Sequence, residues 1–428
     1  MTFKRTLSIF LIIFALCALV SCTPEDAYTN TSAEAVETEA PEAAKLILVE
    51  GGKTDFKVIR SENAVGYALD TASDVYRKLK NELSADFKLA EDWINPIEPD
   101  PATAHEILLF STARPESEAA LADLNFEGYI IRVTDCKVVI VGSSPASCNE
   151  ALYCFFDQII PENTEGGVIA LPVGLEVKAE CKNEPIDLRA AIAEGKTLGA
   201  DFEILFEYKG RDGFTTSQGA ATDGKYAYVV MKKKEDGTET DRIVKIDMAT
   251  WDIVAESDEL PLDHGNDMTY DPNKNRLVVT NMLNNIISVI DPETLTIVER
   301  AVPNYGSWGI GYIDGSSEYA FLASGGLMVT DKDFNVLRTS PFEPANGYTG
   351  QGMDADSQYA YVPFSPNAGK SNNIIQIYDL STGEFLGLIS VGTKMESETI
   401  FHFGDDYYIN FNANGSKIAS LEFYVRFE

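Results

Sequence analysis

The sequence contains few of the signals that accompany metal, phosphate or nucleophilic chemistry. Three histidines in 428 residues disfavour a histidine-rich metal site. There is no Cys-X-X-Cys pair and no Gly-X-Ser-X-Gly motif, which are common signals of zinc or redox sites and of hydrolase nucleophiles. Gly-Lys-Thr and Gly-Lys-Ser occur, but never with the earlier glycine that a phosphate-binding loop needs. We therefore predict no metal and no other cofactor.

Positive charge is also scarce. The chain has 34 Lys and Arg against 67 Asp and Glu, a formal net charge of −33. Such a surface repels nucleic acid and anionic lipid headgroups. The basic run Lys232–Lys234 is followed by two acidic residues and is predicted to lie in a loop. Neutral sugars, cations or basic partners are therefore favoured, nucleic acid is not expected, and the oligomeric state stays open.

The N-terminus reads as an export signal. The apolar run Leu7–Val20 follows two basic residues and is too short to span a membrane. It ends in Leu-Val-Ser-Cys22, which resembles the bacterial lipobox, in which the cysteine is lipidated. Residues 1–21 are thus a predicted lipoprotein signal peptide, with Cys22 the acylated anchor on the outer face of a bacterial membrane. The alternative is an ordinary secretory leader with a chance cysteine.

Two regions follow the leader before any repeat begins. Residues 22–44 are rich in Glu, Ala, Thr and Pro and are predicted to be a disordered tether. Residues 45–180 alternate short apolar runs with helical periodicity, in the order β-β-α-β-β-β-α, which indicates an α+β domain. Ser144-Pro145 is a predicted start of its last helix, because Ser is a good cap and Pro suits the first turn.

This region resembles the non-catalytic N-terminal module of hexosaminidase-like and α-glucuronidase-like glycoside hydrolases. The matching segments are Val49–Lys53, Glu106–Ser117, Gly128–Arg132 and Val139–Ser143. In those enzymes the catalytic residues lie in a following barrel, and no such barrel follows here. The resemblance therefore implies an accessory domain in a glycan-related context, and no catalytic residue.

Four cysteines remain after Cys22. Cys148 and Cys154 fall on one predicted helix, so we do not expect them to pair with each other. Export permits disulfides, and the sequence alone leaves the pairing open among Cys136, Cys148, Cys154 and Cys181.

After a connector at residues 181–200, the chain repeats itself. Five copies of a four-strand pattern follow, and their aligned first-strand positions lie 48, 43, 42 and 48 residues apart, at Gln218, Asn266, Gly309, Gln351 and Thr399. Asp-Pro turns separate strands within the clearest copy. A four-stranded unit that repeats about every 40–50 residues is typical of β-propeller blades. We predict an all-β five-bladed β-propeller over residues 201–428.

The last copy has only three strands before the chain ends. Phe202–Tyr208 has the character of an outer strand and is expected to complete that blade, because ring closure removes exposed strand edges. The repeats also resemble five-bladed propellers of phage receptor-binding and teichoic-acid-associated proteins, through His264–Tyr270 and Gln351–Met353. That resemblance implies recognition of a surface polymer.

A binding site is expected where the first strands begin. In a propeller these starts ring the central funnel, a usual place for ligands. The predicted ligand-binding residues are Gln218, His264, Asn266, Asp267, Trp308, Tyr348, Gln351 and Glu398. Their amides, carboxylates and aromatic rings suit stacking on sugars and hydrogen bonds to hydroxyls. Alternatively, the glutamines bond only to neighbouring blades and the tryptophan packs only in the core.

Three functions are compatible with this pattern. The leading one is a lipid-anchored surface protein that binds a carbohydrate or wall polymer without catalysis. A second is a glycoside hydrolase or lyase that uses Asp267, Glu396 and Glu398 in the funnel. A third is a scaffold for other proteins. The absence of an unambiguous catalytic acid in the repeats favours a non-enzymatic role.

The leader sequence predicts that Cys22 is the lipidated first residue of the mature protein. Mass spectrometry of the membrane fraction should find an N-terminal peptide starting at Cys22 and carrying acyl chains, and Cys22→Ala should release the protein from membranes. An unmodified N-terminus beyond Cys22 in the wild type would contradict the prediction.

Overall fold

The computed structural model describes residues 44–93, 101–182, 185–282, 284–367 and 372–427. The predicted signal peptide, Cys22 and nearly all of the tether lie outside these residues. The first part of the described chain contains short strands and helices. They are β1 Lys45–Glu50, β2 Lys57–Arg60, α1 Gly66–Glu82, β3 Lys88–Glu91, β4 Glu106–Leu109, α2 Pro115–Asp123, β5 Gly128–Val133, β6 Lys137–Gly142, α3 Pro145–Cys154, a π-helix at Phe155–Ile159, α4 Ile160–Glu162, β7 Thr164–Glu165, β8 Val168–Pro172, β9 Glu176–Glu180 and α5 Leu188–Ala193.

Most of these strands form a six-stranded mixed sheet in the order β3-β2-β4-β6-β5-β9. Side chains along β6 alternate between its two faces, as expected for a strand buried on both sides. Val138 and Ile140 pack in the cluster that contains residues of α1 and α3. Val139 and Val141 pack with Ala120 of α2. The strands β1, β8 and β7 form a separate antiparallel sheet.

Helix α3 begins where the sequence predicts. The Ser144 side chain accepts a hydrogen bond from the Ser147 backbone N–H, and the Ser147 side chain accepts one from the Ser144 N–H. Pro145 occupies the first turn, where its missing N–H costs nothing. Cys148 and Cys154 lie on this helix as expected. All four described cysteines are free, so the structure contains none of the possible disulfides between them.

The rest of the chain is almost entirely β-strand. The strands are β10 Leu198–Tyr208, β11 Thr216–Thr222, β12 Tyr226–Glu235, β13 Thr238–Asp247, β14 Asp252–Glu256, β15 Gly265–Asp271, β16 Arg276–Asn281, β17 Ile286–Ile290, β18 Ile297–Ala301, β19 Ser307–Tyr312, β20 Tyr319–Ala323, β21 Gly326–Thr330, β22 Val336–Ser340, β23 Tyr348–Gly350, β24 Asp354–Ala355, β25 Tyr359–Pro366, β26 Asn373–Asp379, β27 Phe385–Val391, β28 Glu396–Phe403, β29 Asp406–Asn412 and β30 Ser416–Val425. Lys232–Lys234, predicted in a loop, lie in β12, where they pair with β13. The loop prediction was wrong because the β12–β13 hairpin extends beyond the apolar residues of β12, which end at Met231.

These strands form multi-stranded antiparallel sheets. Sheet I is β11–β14, sheet II is β15–β18 and sheet III is β19–β22. A nine-stranded sheet contains the remaining strands; we call β23–β27 sheet IV and β28–β30 with β10 sheet V. The first strands contact one another in turn, β11 with β15, β15 with β19, β19 with β24, β24 with β28 and β28 with β11. The arrangement is propeller-like.

Strand β10 joins the beginning of this region to its end. It pairs antiparallel with β30 from Leu198↔Val425 to Tyr208↔Ser416. The predicted pairing of Phe202–Tyr208 with the three-stranded last repeat is therefore present. At its other edge, Leu198–Ala200 pairs parallel with Ile389–Val391 of β27. Over Leu198–Ala200, both edges of the strand are thus paired at the seam between sheets IV and V.

The first part of the chain packs against this seam, and the described residues between 44 and 427 belong to one compact unit. Tyr67 of α1 lies edge-on against Tyr424 of β30, with ring centroids 4.9 Å apart. Arg426 donates to the Asp74 carboxylate at 2.6 Å, and Asn149 of α3 donates to the Val425 carbonyl at 2.7 Å. No helix in the described ranges is long and apolar enough to cross a membrane.

Candidate functional site

The predicted site residues lie on the first strands or on the loops leading into them. Gln218 lies in β11, Asn266 and Asp267 in β15, Trp308 in β19, Tyr348 in β23 and Glu398 in β28, whereas His264 and Gln351 lie in the adjoining loops. We call the end of the ring where these strands begin the funnel. Because the first strands contact one another, residues far apart in sequence meet there.

Asp267 lies inside the ring below the funnel surface, with a fully buried side chain. Its Oδ2 atom accepts hydrogen bonds from the backbone N–H groups of Ile310 and Met353, each at 2.8 Å. Burial raises the pKa of this carboxyl well above its usual value, against the effect of these donors. One carboxyl therefore connects sheet II to sheets III and IV.

The second oxygen of Asp267 is less well satisfied. The Thr399 hydroxyl lies close enough to lower the pKa of this carboxyl, but it donates to the Ile400 carbonyl at 3.2 Å. Oδ1 consequently has no well-formed hydrogen bond among the described residues. A Cβ atom on Gly352 would come within 2.6 Å of Oδ1, so only glycine leaves room for the carboxyl.

Glu398 is also buried, close to Asp267. Burial is the main cause of its raised pKa, and the neighbouring Glu396 and Asp267 add to it, whereas Lys232 and Asn412 act in the opposite direction. Its backbone carbonyl accepts a hydrogen bond from the Gly352 N–H at 2.6 Å. Of the three acids that the sequence predicts in the funnel, Asp267 and Glu398 are therefore buried, whereas Glu396 is exposed.

The two glutamines make different contacts. Gln351 donates to Oε1 of Glu396 at 3.2 Å, connecting sheet IV to sheet V. Gln218 donates to the carbonyl of its own neighbour Ser217 at 2.7 Å. Bonding to an adjacent sheet, the alternative raised from the sequence, thus describes the Gln351 side chain but not that of Gln218.

Asn266 and Trp308 lie next to each other. The Asn266 side-chain amide donates to the Trp308 carbonyl at 2.5 Å, so the amide positions the strand that carries the indole. The half-buried Trp308 packs partly against the core of sheets III and IV. It also lines a surface cavity of about 700 Å³. Other lining residues are Met282, Pro341, Phe342, Glu343, Pro344 and Phe364.

His264 belongs to a charged cluster that sequence reasoning did not identify. Its Nδ1 atom lies 2.9 Å from Oε2 of Glu239 and 3.4 Å from Nζ of Lys232. Burial, followed by Lys232, lowers the pKa of His264 despite the Glu239 carboxylate. The neutral ring can therefore donate from Nδ1 to Glu239. Lys232 and Glu239 come from the β12–β13 hairpin, whose length was underestimated from the sequence.

Asp241 is the buried acid of this cluster. Its side chain is fully buried, and its Oδ2 atom accepts a hydrogen bond from the Gly265 N–H at 3.3 Å. The Oδ1 atom has no hydrogen-bond partner in the described chain. Burial raises the pKa of Asp241 from 3.8 to about 7. Asp241 thus differs from Glu239, whose pKa, despite burial, is lowered by Lys232, Lys234 and His264.

The described residues of the funnel include both hydrogen-bond donors and hydrogen-bond acceptors. Within the described ranges, no group of three or more His, Cys, Asp or Glu residues is placed to hold a metal ion. Amides, a neutral imidazole, a lysine and carboxyls can donate to or accept from hydroxyl groups, and Trp308 adds an aromatic surface. Tyr348, half-buried in β23, lies in the sheet next to that of Trp308.

Comparisons with known proteins give distant structural similarities. No protein-family model matches the chain, and no curated protein matches it. Among solved structures, Myxococcus xanthus glutaminyl cyclase is similar at 11% identity and a TM-score of 0.40, over 54% of this chain and 99% of that one. The tail fiber of Staphylococcus aureus phage P68 is similar at 12% identity and a TM-score of 0.39, over 53% of each chain. These scores are too low to transfer a function.

Asp241 should make stability depend on pH. Its pKa is raised on folding from 3.8 to about 7. Its contribution to the free energy of unfolding is therefore fully present below about pH 4 and is lost as the pH rises to about 7. We expect Asp241→Asn, which stays uncharged, to remove a decline on the order of 2–4 kcal/mol in unfolding free energy over this range. Urea unfolding at several pH values measures it.

The exposed Asp258 provides the control. Asp258→Asn should keep the wild-type pH profile, because the Asp258 side chain is solvated in the folded and unfolded states. An Asp241→Asn profile that runs parallel to that of the wild type would contradict the assignment.

Proposed function

We propose that the five sheets are the blades of a closed five-bladed β-propeller over residues 201–428. The contacts between successive first strands and the pairing of β10 with β30 support this. Residues 45–180 then form an α+β accessory domain, and the connector at 181–200 contributes α5 to the core of sheets IV and V.

We infer that the funnel binds a carbohydrate or wall polymer without cleaving it. The observation that carries this proposal is the cavity of about 700 Å³ beside Trp308, with Phe342 and two prolines in its lining. Aromatic and proline surfaces of this kind can pack against the C–H faces of sugar rings. The adjoining funnel provides amide and carboxyl groups for hydroxyls. A ligand pocket typically combines an apolar wall with a small number of well-placed polar groups.

The charge of the chain favours an uncharged ligand. The formal net charge is −33, and Glu396, Glu398 and Glu343 lie at or near the funnel. A polyanionic polymer would be repelled by this field. A neutral glycan would bind without that penalty and would suit a protein anchored on the outer face of a bacterial membrane through Cys22.

A glycosidase is the second candidate, favoured by one observation. Burial, followed by Glu396, raises the pKa of Glu398, and a carboxyl of raised pKa can act as a general acid. However, Asp267 is completely buried and its Oδ2 atom already accepts two backbone N–H groups. It is therefore poorly placed to reach a glycosidic oxygen, which leaves binding as the better supported function.

The binding proposal is tested with Trp308→Ala. After a glycan array has supplied the best ligand, calorimetry should show affinity at least about tenfold weaker for Trp308→Ala, because an aromatic anchor contributes on the order of 1–2 kcal/mol. Trp93→Ala is the matched control, since Trp93 is 61% exposed in the first part of the chain. It should bind like the wild type.

Two results would count against non-catalytic binding at the funnel. Unchanged affinity of Trp308→Ala would place the site elsewhere. Release of reducing ends by the wild type, abolished by Glu398→Gln, would establish the hydrolase instead.

A further inference from the structure

A second cavity lies at the other end of the ring. It has a volume of about 280 Å³ and is lined where the first strands end, whereas the funnel is formed where they begin. Its lining includes residues from all five sheets. The charged members are Asp223, Asp314, Asp354 and His402, and the aromatic members are Tyr270, Tyr312, Phe401 and Phe403. Pockets for drug-sized ligands typically have volumes of about 300–1,000 Å³. This cavity is slightly smaller, so it suits a smaller ligand.

His402 connects two of the carboxylates. Its Nδ1 atom lies 2.5 Å from Oδ2 of Asp354, and its Nε2 atom lies 2.9 Å from Oδ2 of Asp314. Burial alone would lower the pKa of His402, but the two carboxylates outweigh it and raise the pKa to about 10. The lining therefore contains three carboxyl groups and one imidazolium, and burial raises the pKa of Asp354 despite His402.

The carboxyls of this cavity already accept hydrogen bonds from the protein. Asp223 accepts from the backbone N–H groups of Lys225 and Tyr226, at 2.8 and 2.6 Å, and from the Tyr228 hydroxyl at 2.8 Å. Asp354 and Asp314 each accept from His402 through Oδ2. The cavity thus combines acidic groups with aromatic residues. A ligand that carries both positive charge and apolar surface matches this environment.

Aromatic residues form part of the cavity wall beside the acidic ones. The Tyr270 hydroxyl donates to Asn275 at 2.8 Å, and the Tyr312 hydroxyl donates to the Ser316 carbonyl. Both hydroxyls thus have partners in nearby turns. Phe403 is 55% exposed, although it packs on Gly224, where an added Cβ would come within 2.4 Å of its ring. An exposed aromatic ring at the edge of a charged cavity is available to a ligand.

We propose that this cavity binds a small molecule bearing a trimethylammonium group. Its methyl groups would pack against the aromatic rings, and its delocalised charge would be balanced by the carboxylates without a hydrogen bond. Aromatic rings attract cations through their negative faces, most strongly where water is excluded. The site is separate from the funnel and does not depend on the function proposed there.

Calorimetry of the full-length protein with choline and with its uncharged analogue 3,3-dimethylbutan-1-ol tests the proposal. The two probes have nearly the same shape, so the difference between them measures the charge. Choline should bind at least about fivefold more tightly than the alcohol. Phe403→Ala should weaken choline binding by about two- to thirtyfold, since one cation–π contact contributes on the order of 0.5–2 kcal/mol. Asp314→Asn should also weaken choline binding, because it removes one negative charge from the cavity.

Matched variants control for general effects. Phe385→Ala and Asp333→Asn replace residues of the same types that are exposed elsewhere, and they should bind choline like the wild type. Trp308→Ala should also leave choline binding unchanged. Equal urea midpoints for Phe403→Ala and the wild type would show that folding is intact.

Several results would overturn the proposal. The absence of choline binding, equal binding of the alcohol, or full affinity in both Phe403→Ala and Asp314→Asn would each do so. Tighter binding of ethanolamine than of choline would assign the cavity to primary ammonium groups instead.

Discussion

The buried carboxyl of Asp267 is the constraint on which the ring depends. Its Oδ2 atom receives N–H groups from sheets III and IV, although Asp267 itself belongs to sheet II. Removing a carboxyl from water is unfavourable unless hydrogen bonds compensate it. The compensation requires the first strands of three sheets to stay at fixed separations, and Gly352 must lack a side chain to permit the approach. Local strand pairing alone would not impose this spacing.

The two ends of the ring have different chemistry as a consequence. Around the funnel, acids are combined with Lys232, His264 and side-chain amides, so both donors and acceptors are available. At the other end, His402 is shared between two carboxylates, and aromatic rings replace the amides. The strands that hold Asp267 in the centre therefore separate a polar site from an aromatic, negatively charged one, which suits two ligands of different kinds.

The sequence predicted the features that depend on local patterns. The repeat spacing identified the first strands, and the helix start at Ser144 follows from its neighbours alone. Features that depend on contacts between distant residues could not be predicted from the sequence. Lys232 and Glu239 join His264 only because the β12–β13 hairpin is long, and His402 meets Asp314 and Asp354 across 88 and 48 residues. The predicted order β-β-α-β-β-β-α also lacks β3, α2 and the strands β7–β9. These elements are short, and most of them pair with or pack against strands that are distant in sequence.

The most direct test is the free energy of unfolding of two Asp267 variants. Asp267→Ala leaves the Ile310 and Met353 N–H groups unpaired, which should cost about 2–6 kcal/mol in total at about 1–3 kcal/mol for each buried group. Asp267→Asn keeps an acceptor oxygen and should retain most of that stability. Urea unfolding that gives the alanine variant the same stability as the asparagine variant and the wild type would contradict the central role of this carboxyl.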